Sequence, residues 1–218
     1  MNQSFLNFQQ AIKAFPEAKI IAVSKLQSEE NIKKLADLGQ KDFAENYIQE
    51  FSKKEESLKS LKLNWHFIGH IQTNKLKLIT GKTKLIHSVD SLNLLEKINQ
   101  QSEQLKMITE FLLQINLSKE DTKNGIYLEE MDPVINVLAS FKSTQIKGLM
   151  TMPPLQNEPK ENLPYFKKLR ELRDSLFTEF PSCRELSMGT SGDYAIALEQ
   201  GATMIRIGTA LFGERPAT

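Results

Sequence analysis

Short apolar runs alternate with longer amphipathic segments along most of the 218-residue chain. The apolar runs are rich in Ile, Leu, Val and Phe, as in strands buried on both faces, and the intervening segments carry apolar residues at helical spacing. This pattern predicts eight strands, which we place at residues 19–25, 42–45, 64–69, 83–87, 107–116, 145–150, 184–187 and 203–207.

Helices are predicted in the intervals between these strands. An N-terminal helix over residues 2–15 is ended by Pro16, and Ser28 and Gly39 are residue types that begin and end a helix. The remaining helices are predicted at residues 47–61, 72–80, 91–104, 127–141, 160–180 and 191–200, with a last helical turn near Ala210.

The regular alternation of strands and helices predicts the fold class. Strands that alternate with helices run parallel and are joined by right-handed crossovers. Eight such units fit a (β/α)8 barrel of the TIM type, an α/β fold that forms a single domain over residues 1–218. An open doubly wound sheet is the alternative. Neither a G-x-G-x-x-G nor a G-x-x-x-x-G-K-[ST] motif occurs, so the nucleotide-binding forms of that sheet lose support.

The composition narrows the classes of partner. The formal net charge is +1 and the sequence has no long basic block, which argues against nucleic acid as a partner. Cys183 is the only cysteine, which excludes an internal disulfide and a thiolate metal cluster. No apolar run approaches the roughly 18 residues of a membrane span, and residues 1–15 lack a signal-peptide pattern. We therefore expect a cytoplasmic monomer with no membrane partner and no bound metal.

Lys25 directly follows the first apolar run, residues 20–24. The functional site of a TIM-type barrel lies at the carboxyl ends of its strands. Burial at such a position can lower the pKa of a lysine, and the free amine can form a Schiff base with a carbonyl compound. A lysine that simply extends into solvent is the competing interpretation. The eight predicted strand ends, most of them polar, are Lys25, Asn46, His70, Ser88, Asn116, Met150, Ser187 and Gly208.

Two glycine-containing loops follow the predicted strands seven and eight, at residues 187–193 and 208–210. Barrels of this type usually bind phosphate with these two loops. Glycine leaves main-chain N–H groups accessible, and the N-terminus of a following helix favours an anion. Two ordinary turns with helix caps would have similar residues, but both loops fall where the fold places phosphate. The pattern therefore favours an anion site.

Arg206 is the charged residue of the last apolar strand. Strand alternation places it on the same face as Met204 and Gly208. If that face is the barrel interior, the guanidinium needs buried hydrogen-bond acceptors; if it faces a helix, a carboxylate partner is expected. His66 and His70 would lie about 13 Å apart on a strand, too far to share a metal. His70 is interpreted either as lining the site or as a core histidine.

Six motifs occur together between about residue 20 and the C-terminus. They are Ala-Val-Ser-Lys at 22–25, Phe-Ala-Glu-Asn-Tyr at 43–47, Trp-His-Phe-Ile-Gly-His-Ile-Gln-Thr-Asn-Lys at 65–75, Gly-Leu-Met-Thr-Met at 148–152, Leu-Ser-Met-Gly-Thr-Ser-Gly-Asp at 186–193 and Arg-Ile-Gly-Thr-Ala at 206–210. With these motifs the chain resembles the pyridoxal phosphate homeostasis proteins, the YggS/PROSC group. The resemblance implies a barrel like the N-terminal domain of alanine racemase, with pyridoxal 5′-phosphate (PLP) covalently bound to a lysine.

The resemblance also implies a role for individual residues. By position, Lys25 would form the Schiff base with PLP, and Arg206 would face the pyridine nitrogen. Ser191, Gly192, Gly208 and Thr209 would surround the phosphate, and Asn46, His70 and Met150 would line the ring. Ser187 would be a further cofactor-binding residue.

Two functions with PLP remain open at this point. An arginine opposite the pyridine nitrogen leaves that nitrogen largely unprotonated, so the ring is a weaker electron sink. A racemase also needs two bases on opposite faces of the substrate carbon, and the related racemase takes one from a second domain for which this chain has no room. We therefore expect a PLP carrier and regulator without catalytic residues, which supplies the cofactor to apo-enzymes. An amino-acid racemase is the alternative, and a cofactor-free aldolase that uses Lys25 is a third interpretation.

Overall fold

Eight parallel strands form a closed barrel in the computed structural model, which describes residues 2–120 and 123–213. Each strand pairs with the next, and the last pairs with the first. The predicted (β/α)8 barrel is thereby confirmed, and the open sheet is excluded. The strands are β1 (Lys19–Val23), β2 (Asp42–Glu45), β3 (Asn64–Phe67), β4 (Leu85–Val89), β5 (Thr109–Gln114), β6 (Thr144–Met150), β7 (Glu185–Ser187) and β8 (Met204–Ile207).

Helices surround the barrel and join consecutive strands. Ser28 is the cap expected from the sequence, because its Oγ accepts a hydrogen bond from the N–H of Asn31 at 3.2 Å. The α-helices are α1 (Asn2–Ile12), α2 (Glu29–Asp37), α3 (Ile48–Ser57), α4 (Leu92–Gln104), α5 (Met131–Leu138), α6 (Leu163–Phe177), α7 (Tyr194–Glu199) and α8 (Thr209–Phe212). Short 3-10 helices span Lys59–Leu61, Thr73–Leu78, Leu128–Glu130 and Pro159–Asn162.

The apolar core has two layers. The larger layer fills the space between the strands and the surrounding helices. Within it, Phe51 of α3 contacts Trp65 and Phe67 of β3 edge-on, with ring centroids 6.1 Å apart in both pairs. These contacts fix α3 against the barrel wall. The smaller layer fills the barrel interior and consists of Ile21, Ala44, Leu85, Leu112, Met150 and Met204.

Several predicted boundaries differ from the structure. β1 ends at Val23, so Lys25 lies in the turn beyond the strand. β4 spans Leu85–Val89 instead of residues 83–87, because its polar side chains have buried partners and do not end the strand. The helix predicted from residue 191 begins at Tyr194. The loop before it is held by Asp193, whose Oδ1 accepts hydrogen bonds from the N–H and Oγ1 of Thr190.

Candidate functional site

A cleft of about 200 Å³ lies at the carboxyl ends of β1, β2, β3 and β8. The loops after β6 and β7 complete its walls. This is the end of the barrel at which the sequence predicts the site. The residues that line the cleft are Val23, Lys25, Asn46, Ile68, Met152, Thr190, Ser191, Arg206, Gly208 and Thr209. The fold thus brings six of the ten predicted site residues to one cavity: Lys25, Asn46, Ser191, Arg206, Gly208 and Thr209.

The other four predicted residues lie around this cleft. Ser187 and Met150 are fully buried below it, and Met150 belongs to the interior apolar layer. Gly192 borders a neighbouring cavity that shares Thr190 and Met152 with the cleft. His70 is exposed, and its Nδ1 lies 2.9 Å from Oδ2 of Asp90, which excludes the core-histidine interpretation.

Lys25 reaches the cleft from a tight turn. The turn is closed by a 3.0 Å hydrogen bond from the N–H of Gln27 to the carbonyl of Ser24. Its third residue, Leu26, has a φ of +60°, a left-handed conformation that residues other than glycine rarely adopt. The backbone therefore holds Lys25 at a fixed position in the turn, at a cost in local strain.

Arg206 is buried inside the barrel, as strand alternation predicts for that face. Its Nη1 donates to Oγ of Ser187 at 2.7 Å, and its Nη2 donates to the carbonyl of Thr151 at 2.9 Å. Burial lowers the pKa of this guanidinium to about 10, and the charge of Asp193 opposes the shift. The alternative interpretation, a helix-facing arginine paired with a carboxylate, is wrong.

A chain of polar side chains continues from Arg206 through the barrel. Nδ1 of His87 lies 2.9 Å from Oγ of Ser187, and Nε2 of His87 lies 2.8 Å from Nδ1 of His66. Nε2 of His66 lies 3.0 Å from Oδ1 of Asp42, which is partly exposed at the opposite end of the strands. Arg206 is thus linked through neutral groups to a carboxylate at the far end of the barrel.

The proton positions in this chain follow from its two ends. Asp42 is ionised: burial is the largest single effect and acts to raise its pKa, but His66, Lys84 and Asn64 together lower it overall. A carboxylate only accepts, so Nε2 of His66 donates and its Nδ1 accepts from His87. Nδ1 of His87 then accepts from the hydroxyl of Ser187, whose oxygen accepts from Arg206. Each histidine carries one proton and is neutral.

The sequence analysis did not assign a role to His87. A signal was present, because His66 and His87 are polar residues on strands whose neighbours are apolar, and alternation directs both into the barrel. What the sequence could not give was their separation. The two histidines are hydrogen-bonded only because β3 and β4 pair in this register.

Two glycines allow the loops around the cleft to approach each other. A Cβ at Gly69 would lie 1.9 Å from the carbonyl oxygen of Asn46, so only glycine lets the loop after β3 pass this cleft residue. A Cβ at Gly189, where φ is +89°, would lie 2.5 Å from Cβ of Ala197. By contrast, a Cβ at Gly192 would meet nothing within 4 Å, and one at Gly208 would meet Val23 at 3.6 Å. The space beside Gly192 is therefore open, and a Cβ at Gly208 would make only an ordinary van der Waals contact.

The donors around the cleft fit PLP. The cleft combines an amine, two hydroxyl side chains that each adjoin a glycine, and a guanidinium. These groups match an aldehyde, a phosphate and a pyridine nitrogen. In addition, Oδ1 of Asn46 is buried and has no hydrogen-bond partner among the described residues. An unsatisfied buried polar atom in a cavity wall indicates a place for a polar ligand.

Other candidate chemistry receives no support from the structure. Cys183 is buried, and burial raises the pKa of its thiol to about 12, as expected for an inert residue. No group of histidine, cysteine and carboxylate side chains suited to a metal occurs in residues 2–120 and 123–213. Within the same described ranges, no helix has the length and apolar character needed to span a membrane.

Comparison with known proteins places the chain in a family. The family described as "Alanine racemase, N-terminal domain" matches residues 5–216. The pyridoxal phosphate homeostasis protein of Aquifex aeolicus (strain VF5) is 43% identical over 199 residues, 91% of this chain and 87% of that protein. The protein of the same name from Escherichia coli (strain K12) is 35% identical over 202 residues, 91% and 86% of the two chains. The chain belongs to the pyridoxal phosphate homeostasis protein family.

Solved structures agree with this family assignment. PipY of Synechococcus elongatus PCC7942, solved with PLP bound, superposes with a TM-score of 0.90 at 32% identity and covers 97% of this chain and 99% of PipY. An alanine racemase of Clostridium difficile 630 superposes with a TM-score of 0.74 at 17% identity, which shows a shared fold. The superposition covers 98% of this chain and 56% of that racemase. The resemblance inferred from the six motifs is confirmed.

Proposed function

We propose that this protein binds PLP in the cleft, holds it as a Schiff base on Lys25 and supplies it to apo-enzymes in the cytoplasm. The observation that carries the proposal is the convergence of Lys25, Arg206, Ser191 and Thr209 on one cavity at the carboxyl end of the barrel. These side chains come from two loops, strand β8 and the first residue of α8, and together they match the aldehyde, the phosphate and the pyridine nitrogen of PLP.

The covalent step needs no redox partner. Nζ of Lys25 attacks the aldehyde carbon of PLP, a C=N bond forms and the aldehyde oxygen leaves as water. Release is the same chemistry with a second amine: that amine adds to the C=N carbon and Lys25 leaves as a free amine. A carrier on this principle can pass PLP to the lysine of an apo-enzyme without an intermediate oxidation or reduction.

The two ends of the cofactor have separate binding groups in this proposal. Ser191 and Thr209 donate hydroxyl hydrogen bonds to the phosphate, and Gly192 and Gly208 leave room for main-chain N–H groups to approach it. Arg206 donates to the pyridine nitrogen while Ser187 and Thr151 hold its guanidinium. Asn46 faces the ring, with Met150, Ser187 and His70 supporting the site from its surroundings.

The family supports this function. Relatives that match 91% of the chain bear the name pyridoxal phosphate homeostasis protein, and PipY is a relative with PLP bound. A racemase remains the second candidate because the fold is shared. The cleft itself disfavours it, since Lys25 is the one side chain among the described lining residues suited to act as a base near neutral pH.

The experiment that tests the proposal is a borohydride trap. The purified protein mixed with PLP should become yellow, and reduction followed by peptide mass spectrometry should place the pyridoxyl group on Lys25. A PLP-loaded protein of this colour excludes the cofactor-free aldolase. An adduct confined to another lysine, such as Lys75 or Lys123, would contradict the assignment of Lys25.

A further inference from the structure

A buried cluster of charged side chains lies behind the turn that carries Lys25. It consists of Glu45 at the end of β2 and Glu50 and Lys54 of α3, and we call it the clamp. The side chains of Glu45 and Lys54 are 0% and 7% exposed, and that of Glu50 is 27% exposed. None of the three is among the residues that line the cleft.

Lys54 is the centre of the clamp. Its Nζ lies 2.8 Å from Oε1 of Glu45, 2.8 Å from Oε2 of Glu50 and 2.8 Å from the carbonyl oxygen of Ser24. An ammonium group has three donors, so these three acceptors use its full capacity. One of them is the backbone of the residue that precedes Lys25.

Glu50 holds the residue on the other side of Lys25. Its Oε2 accepts a 2.9 Å hydrogen bond from the N–H of Leu26, the residue at φ +60°. Burial acts to raise the pKa of Glu50, but the hydrogen bonds from Lys54 and from the Leu26 N–H lower it overall, so the carboxylate is ionised. The clamp therefore fixes the carbonyl before Lys25 and the N–H after it.

The side chain of Ser24 adds a third attachment. Its Oγ donates to Oε1 of Glu45 at 2.7 Å, and its N–H donates to the carbonyl of Ala44 at 2.9 Å. The base of the clamp is rigid, because α3 is packed on the barrel through Phe51. The strained turn is thus bonded at both of its ends to fixed elements of the fold.

Stability alone is a poor explanation for this arrangement. Removing the charges of Lys54 and Glu50 from water offsets most of their mutual attraction, and burial raises the pKa of Glu45, so a buried ion pair adds little net stability. A left-handed Leu26 costs further free energy and persists only where its surroundings determine it. The buried charges contact the two residues that flank Lys25, and the strained backbone is one of these residues. This arrangement indicates that the position of Lys25 is what the clamp maintains.

We propose that Lys54, with Glu50, is a positioning residue that holds Lys25 in the geometry for Schiff-base formation. The inference rests on the proposed function, because it needs Lys25 to be the residue that binds PLP. Lys54 does not touch the cofactor in this proposal and acts through Ser24 and Glu50 on the backbone. Loss of the clamp should therefore impair the covalent step and spare the non-covalent contacts.

The test compares PLP with pyridoxine 5′-phosphate, which has the same ring and phosphate but an alcohol in place of the aldehyde. In Lys54→Met, the rate and equilibrium constant of imine formation with PLP should each fall roughly tenfold or more, as for other misplacements of a reacting group by about 1 Å. The affinity for pyridoxine 5′-phosphate should change by less than about threefold. Glu50→Ala, at a partly exposed site, should show the same selective loss if Lys54→Met fails to fold.

Two further variants complete the design. Glu50→Gln keeps an oxygen that can accept from the Leu26 N–H and should recover part of the imine formation lost in Glu50→Ala. Lys147→Met removes a lysine paired with Glu110 at 3.4 Å on strands away from the turn, and imine formation should be unchanged. Equal weakening of both ligands in the clamp variants, or no change in either, would overturn the inference. Failure of the wild-type protein to trap PLP on Lys25 would instead overturn the proposed function.

Discussion

Nε2 of His87 lies 2.8 Å from Nδ1 of His66 in the interior of the barrel, with the rings nearly perpendicular at 77°. One proton lies between the two nitrogen atoms in this hydrogen bond. If both rings were fully protonated, two N–H donors would face each other. Burial lowers the pKa of His66 and lowers that of His87 well below its ordinary value; the charge of Arg206 adds to the effect on His87. Burial in the barrel therefore keeps both histidines neutral.

The neutral pair predicts a loss of stability in mild acid. Both histidines have a lower pKa in the folded state than in the unfolded chain, where it is about 6.5. Below that pH the unfolded state binds more protons, so the free energy of unfolding should fall as the pH decreases from 7 to 5. Each histidine contributes a slope of at most about 1.4 kcal/mol per pH unit. Urea unfolding at a series of pH values measures this slope.

The matched variants are His87→Gln and His70→Gln. His87→Gln should reduce the slope between pH 7 and 5, because one of the two buried titrating groups is gone. His70 is exposed, and its replacement should leave most of the slope in place. A slope that is the same in wild type and His87→Gln would show that this histidine does not titrate on unfolding.

Arg206→Glu should change the visible spectrum of the bound cofactor. A carboxylate opposite the pyridine nitrogen favours the protonated ring, whereas the guanidinium donates to an unprotonated one. Absorbance spectra of the PLP-loaded variant between pH 6 and 9 measure the change. Arg184→Glu makes the same change of charge at an exposed position and should leave the spectrum unaltered. An unaltered spectrum in Arg206→Glu with PLP bound would remove Arg206 from its proposed role.

The double variant Ser191→Ala with Thr209→Val should weaken PLP more than pyridoxal, which lacks the phosphate. Each hydrogen bond lost to a charged group costs roughly 1.5–3 kcal/mol, or about ten- to a hundredfold in affinity. Equilibrium titrations with both ligands give the comparison. Equal weakening of the two ligands would place the phosphate elsewhere.

Gly192→Ala and Gly69→Ala should have opposite profiles. At Gly192 a Cβ meets nothing within 4 Å, so stability should change by less than about 0.5 kcal/mol while the affinity for PLP falls. At Gly69 a Cβ meets the carbonyl of Asn46 at 1.9 Å, and the forced displacement should cost about 1–3 kcal/mol. Urea unfolding and PLP titration separate the two effects. If Gly192→Ala binds PLP like the wild type, the phosphate does not approach this glycine.

The carrier function predicts transfer without turnover. The PLP-loaded protein, incubated with each common L-amino acid in deuterated water, should give no α-deuteration, because the cleft provides a single base and a weak electron sink. Mixed with an apo PLP enzyme and a scavenger of free PLP, it should restore that enzyme's activity. Rapid α-deuteration, at on the order of 1–1000 per second, would favour the racemase. Recovery abolished by the scavenger would contradict direct supply.

Much of the fold and part of the site follow from local pattern. Apolar runs and caps located every strand of the barrel. The strand-end rule predicts Lys25 and the loops after β7 and β8 as site residues, strand alternation directs Arg206 into the barrel, and the structure brings all of them to one cleft. The boundary errors share a physical cause. Polar residues such as His87 and Ser88 resemble the end of a strand in sequence, but inside this barrel they are satisfied by Ser187 and by the carbonyl of Gly69.

The clamp could not be predicted from the sequence. Glu50 and Lys54 have the spacing of a common helical ion pair, which is usually exposed and weakly stabilising. Only the packing of α3 on the barrel brings this pair to the carbonyl of Ser24 and the N–H of Leu26. The left-handed conformation of Leu26 has no signal in its residue type. The hydrophobic pattern of the sequence therefore does not reveal side-chain partners that only the tertiary fold brings together.

The pairing of β8 with β1 decides when the protein can first retain its ligand. Lys25 is synthesised early, whereas six strands, β2–β7, separate it from β8, which carries Arg206 and is followed by Thr209. The two groups meet when the last strand docks beside the first. Under the proposed function, an incomplete chain thus has the amine of Lys25 but lacks the groups that are proposed to hold the phosphate. A ligand that binds only the closed barrel stabilises that state by mass action. In the proposed function, PLP held between Lys25 and the loop after β8 therefore stabilises the pairing of the last strand with the first.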